Sequence, residues 1–140
     1  MSKHEDFGKY LADTYSDIFK EPLWVECKEG WYPIINDLSK QVNEFAKAHQ
    51  LNNTADPIIN VIQIKEKFGG LRYYIDYHNL SDDDIYKVEN MVREAEDKSH
   101  KCCEDCGDPA EICSPRRYWM KTICISCRSN YDMGDTPNGI

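Results

Sequence analysis

The sequence predicts an α+β fold: a hairpin or small antiparallel sheet packed on three helices, followed by a compact cysteine-rich module. Three observations predict it. Apolar residues recur at spacings of three and four in three separate stretches, the signature of helices with one buried face. Two runs of alternating apolar and polar residues flank Gly69-Gly70, the pattern of a β-hairpin. Near the C-terminus, Cys103-Glu-Asp-Cys106-Gly107 and Cys124-Ile-Ser-Cys127 stand 17 residues apart.

The first helix is expected over His4–Glu21, with Phe7, Leu11, Tyr15, Ile18 and Phe19 along one face and Pro22 ending it. Leu23-Trp-Val-Glu-Cys27 reads as a short strand closed by Gly30. A second helix follows from Trp31 or Pro33 to Gln50, its stripe made by Ile34, Ile35, Leu38, Val42, Phe45 and Ala46. Pro33 suits a first turn, where its missing N–H leaves no bond unmade. Leu51–Pro57 is a polar turn region. The hairpin arms are Ile58–Phe68 and Leu71–Tyr77 about the Gly69-Gly70 turn. Leu71, Tyr73, Ile75 and Tyr77 share one face of the second arm, and Ile62 and Ile64 share a face of the first. Ser81 offers an N-cap to a third helix reaching Ser99. Asp82, Asp83 and Asp84 fall in its first turn, where the helix dipole favours negative charge. Ile85, Val88, Val92 and Ala95 form the inward stripe.

Each C-x-x-C turn can present two thiolates to one ion, and four thiolates form a tetrahedral cage that suits Zn²⁺. Gly107 supplies the positive φ that a knuckle turn often needs. Glu111–Cys113 and Tyr118–Ile123 read as short strands between the pairs, the order of a zinc ribbon or treble clef. Cys103, Cys106, Cys124 and Cys127 are the expected ligands. With no open position for water, the site is structural rather than catalytic. Cys102 and Cys113 are spare thiols, Cys113 packing as a small apolar side chain, and His100 is placed to cap a helix rather than bind the ion. The expected organisation is an α+β domain over 1–100, a metal module over 101–130 and a frayed tail over 131–140. Metal removal is expected to unfold 101–130.

Net charge is −8, which disfavours simple binding to a phosphate backbone and suits a partner with a basic surface. The start of the chain lacks a secretory pattern and no apolar run approaches bilayer length, so a cytoplasmic protein is expected. No deaminase, zincin or serine-hydrolase motif is present. Two stretches carry contact chemistry instead. Lys65, Lys67 and Arg72 can share a face at the hairpin end beside Phe68, Gly69 and Gly70, where a backbone or a phosphate can approach closely. Arg116, Arg117, Lys121 and Arg128 form a basic cluster beside Tyr118 and Trp119, a mixture that also suits nucleic acid.

Gly30-Trp31-Tyr32, the Ile64-Lys-Glu-Lys-Phe-Gly-Gly-Leu-Arg-Tyr-Tyr74 stretch and the two cysteine pairs together resemble a group of small, mostly uncharacterised proteins of bacteriophages and prophages. The likeness covers roughly residues 20–130. It implies an accessory protein that binds a host protein, for example an inhibitor of a defence system, acting in the host cytoplasm; it assigns no catalytic residue. The expected contact residues are Lys65, Lys67, Phe68, Gly69, Gly70 and Arg72 at the hairpin end, with Trp119 second. Two alternatives remain open: a nucleic-acid-binding regulator built on the metal module, and a small nucleotide-binding enzyme using Gly69-Gly70.

Overall fold

A computed structural model describes residues 2–49, 58–116 and 119–131. The elements run α1 (Lys3–Thr14), a 3₁₀ turn (Glu29–Trp31), α2 (Tyr32–His49), β1 (Ile59–Lys67), β2 (Gly70–Tyr77), α3 (Asp82–Ser99), β3 (Glu111–Arg116), β4 (Trp119–Ile123) and α4 (Ile125–Arg128). The fold is α+β, as the sequence implies. β1–β2 and β3–β4 are separate two-stranded antiparallel sheets. The expected turn at Leu51–Pro57 lies outside the described residues, as do Gln50, Arg117, Tyr118 and the tail beyond Tyr131.

α1 is capped by Ser2, whose Oγ accepts from Glu5 N at 3.2 Å. It ends at Thr14, seven residues short of the expected Glu21. Ile18 and Phe19 still enter the core, but from the turn that follows. The turn is tied to the sheet: the Ile18 carbonyl accepts from Val61 N of β1 at 2.8 Å, which seats Ile18 in the core. The expected strand at Leu23–Cys27 reduces to one parallel bridge, Glu26 beside Lys65. Glu26 N donates to Ile64 O at 2.9 Å and Glu66 N to Glu26 O at 3.0 Å, so this segment borders β1.

α2 carries Pro33 in its first turn and buries Ile35, Leu38, Val42 and Ala46. Its Ser39 hydroxyl bonds the buried Tyr73 hydroxyl of β2 at 2.9 Å. Burial pushes the Tyr73 phenol well above its ordinary range. α3 begins where Ser81 accepts from Asp84 N, and Val88, Ala95 and Ser99 face inward. The core joins both helices to β1, β2 and Trp31, which is fully buried.

Two details of the first hairpin differ from the expected pattern. A bulge between Val61 and Gln63 shifts the phase of β1. Val61 and Ile64 are buried and Ile62 is 52% exposed, so Ile62 and Ile64 do not share a face. The turn is Phe68-Gly69, one residue earlier than Gly69-Gly70, because Lys67 pairs with Gly70. Both turn residues have positive φ, +54° at Phe68 and +82° at Gly69, as hairpins with two-residue turns of matching twist require.

Candidate metal centre

The first cysteine pair sits on a tight turn. Cys103 N donates to Asp108 O at 2.7 Å, Gly107 N donates back to Cys103 O at 2.9 Å, and Gly107 adopts φ +88°. The second pair sits on one helical turn. Cys124 is the N-cap of α4, and its Sγ accepts from Cys127 N at 3.4 Å. Knuckle, hairpin and helical turn follow in the treble-clef order rather than that of two equal knuckles. The β3–β4 register brings the two turns together, pairing Glu111 with Ile123, the residue before Cys124.

The sulfurs of Cys103, Cys106, Cys124 and Cys127 all lie within 4.8 Å of one another, and no disulfide joins them. Cys106 Sγ and Cys124 Sγ are 3.6 Å apart. Four sulfurs bonded at about 2.3 Å around a tetrahedral ion stand about 3.8 Å apart. The four residues named from sequence can therefore hold a metal ion. The thiols are not equivalent. Burial pushes Cys103 up, but the backbone N–H groups of Cys124, Cys106 and Asp105 outweigh it and bring it down to about 7. Burial, then hydrogen bonding with Cys106, Cys124 and Cys103, pushes Cys127 up. Crowded thiolates oppose one another, so four persist side by side only around a cation.

The spare groups are engaged elsewhere. Cys102 Sγ lies 3.5 Å from Gly30 O and 3.4 Å from Gly107 O. His100 packs its ring against Gly70, where an added Cβ would meet Nε2 and the ring would have to move. Cys27 is buried, and burial raises its thiol well above the ordinary range.

The knuckle is docked on the first half of the chain, a contact that no local pattern in the sequence encodes. Gly30 N donates to Glu104 O at 2.7 Å, Lys28 N to Glu104 Oε2 at 3.0 Å, and Trp31 Nε1 to Cys102 O at 2.8 Å. A Cβ on Gly30 would collide with the backbone of Cys103 and Glu104. The hairpin tip docks too: Thr122 Oγ1 donates to Gly69 O at 2.5 Å. Beside the cage, Lys121 is buried between Glu104 (2.7 Å) and Asp105 (3.2 Å), with Tyr131 donating to Asp105 at 2.5 Å. The two carboxylates outweigh burial and raise Lys121 above its ordinary range. Only Gly30, a glycine two places before a proline-led helix, could have signalled this docking.

The expected contact residues divide into two groups. The register sets Lys65 opposite Arg72 and places Lys67 on the same face. Lys67 is exposed, Lys65 half-buried, and Phe68 is 64% exposed with Lys67 Nζ 5.6 Å from its ring centre. Arg72 is tied to Glu96 at 2.5 Å. Gly69 and Gly70 are buried against Thr122, Ile112 and His100, so the close approach they permit is made by the chain itself. Trp119 is half-buried, packed edge-on against Tyr131 at 5.4 Å. Arg116 lies on β3, but its side chain is outside the described set. No helix among the described residues is long and apolar enough to cross a membrane. No family model, curated protein or solved structure matches the chain.

Proposed function

We propose that the protein is a phage-type accessory factor that acts by binding another protein, with a structural Zn²⁺ holding its binding face in shape. The observation that carries this is Phe68. A bulky side chain in the left-handed region costs about 1–2 kcal/mol, and this ring recovers little of it by burial. Asn or Gly would make the same turn at lower cost. A strained, exposed aromatic on a firmly docked turn suits an anchor for a partner, with Lys67 and Lys65 beside it. All-sulfur ligation and the 3.6 Å sulfur spacing favour zinc, and a closed cage supports folding rather than catalysis. The net charge of −8 steers the molecule toward a basic partner, such as a host protein that handles nucleic acid.

The other readings are weaker. Lys121 is neutralised by Glu104 and Asp105, so the basic cluster that would favour nucleic acid loses a member. A phosphate at Gly69-Gly70 would have to displace Thr122 and His100. The test is co-purification from host lysate. A protein recovered at near-stoichiometric amount, and lost on Phe68→Ala and on Phe68→Asp while zinc content stays at one per chain, supports the proposal. Recovery of nothing, or recovery indifferent to both substitutions, rejects it.

A further inference from the structure

A groove of about 640 Å³ opens beside the second cysteine pair. One wall is the continuous stretch Pro109–Cys113; the other is formed by Ile123, Ile125 and Arg128, with Lys101 at the rim. The volume suits one or two bulky side chains. Its surface is unusual for a solvent face: Ile125 is 85% exposed and Ile112 is 39% exposed. α4 ends after four residues, so no described element covers them.

The charges select the occupant. Lys101 and Arg128 line the groove, and among the described residues neither forms an ion pair, although the chain is acidic overall. Glu111 is the one carboxylate on the walls. We infer that this groove docks an extended acidic peptide segment carrying a bulky apolar anchor. The anchor lies on the exposed Ile125, against Ile123 and the Pro109–Cys113 wall, and the flanking carboxylates meet Lys101 and Arg128. A wall of consecutive residues matches an extended ligand better than a globular one. The site is separate from Phe68 and goes beyond the function proposed above.

The experiment uses full-length, zinc-loaded protein and three fluorescein-labelled peptides. They are Asp-Glu-Leu-Phe-Asp-Glu, the same peptide with Lys for every acid, and the same with Ala for Leu-Phe. Fluorescence anisotropy should show the acidic Leu-Phe peptide binding with a Kd on the order of 10–100 μM, and the other two at least about tenfold more weakly. Lys101→Glu with Arg128→Glu should weaken it about tenfold, Ile125→Asp should do likewise, and Glu111→Lys should tighten it. Zinc content measured on each variant separates loss of the groove from loss of the fold, and the tightening by Glu111→Lys cannot come from misfolding. Equal binding of the Lys peptide, weakening by Glu111→Lys, or no binding of the acidic peptide at about 1 mM overturns the inference. Phe68→Ala should leave the peptide affinity unchanged, so failure here leaves the hairpin-tip proposal standing.

Discussion

Removing the metal should weaken the first half of the protein as well as the module. Among the described residues, four N–H and O–H hydrogen bonds join the cysteine-bearing turns to the first half of the chain: Gly30 N to Glu104 O, Lys28 N to Glu104 Oε2, Trp31 Nε1 to Cys102 O, and Thr122 Oγ1 to Gly69 O. Each contributes about 1 kcal/mol net, so their joint loss costs about 4 kcal/mol. In a chain of this size that lowers Tm by roughly 15 °C. The core of α2, α3, β1 and β2 holds most of the buried apolar side chains and should survive at room temperature. Trp31 is the natural reporter, being fully buried and bonded to the knuckle, whereas Trp24 is 52% exposed. A variant with Trp24→Phe and Trp119→Phe isolates its emission. On chelation the emission should shift to the red and Tm should fall by the amount given. Unchanged emission and Tm with the metal gone would refute the reasoning, because the module would then hang free of the core. Complete unfolding at 25 °C would refute it in the other direction.

Four further outcomes follow from single features. Gly30→Ala should cost about 3 kcal/mol or more and lower metal affinity, since the added methyl meets backbone rather than a movable side chain; denaturant melts and metal titration check this. Phe68→Asn should leave Tm unchanged or a few degrees higher, relief of the left-handed strain offsetting the small burial lost, while partner capture falls. Lys121→Met should destabilise by about 3–5 kcal/mol because Glu104 is left charged and buried, and adding Glu104→Gln should recover part of it, read by thermal melts. Alkaline stability should fall from about pH 10 upward. Burial raises Tyr73, Tyr77 and Tyr32, the last to about 12, so folding favours the neutral phenols. That stability is complete below the unfolded pKa and is lost as pH rises through the folded values. Absorbance of tyrosinate should show these three ionising together with unfolding rather than before it.

Local rules carried much of the fold. The cap at Ser81, the burial of Val88 and Ala95 in α3, Pro33 in α2 and the alternation of β2 all depend on neighbours in sequence, and all stand where sequence places them. The four cysteines were legible for the same reason, since each pair is a local turn. What was hidden depends on contacts between distant segments. The stripe of α1 continues to Phe19, yet the helix ends at Thr14 and Ile18 reaches the core from a turn bonded to Val61. The bulge at Ile62 leaves the composition of β1 unchanged and reverses which residues are buried. The glycines at 69 and 70 permit close approach, but sequence does not say what approaches. Here it is Thr122, some fifty residues further along.

The hairpin of β1 and β2 works as a ruler. Its base is held by Ile18 at Val61, Glu26 borders β1 nearer the turn, and its tip must arrive at Thr122. One residue added to each arm would advance the tip by about 3.3 Å and turn its faces over. The same change would draw the sulfur cage off Trp31. Within this architecture the arms can change their surface chemistry freely, but their length is set by the distance to the metal-bearing turns.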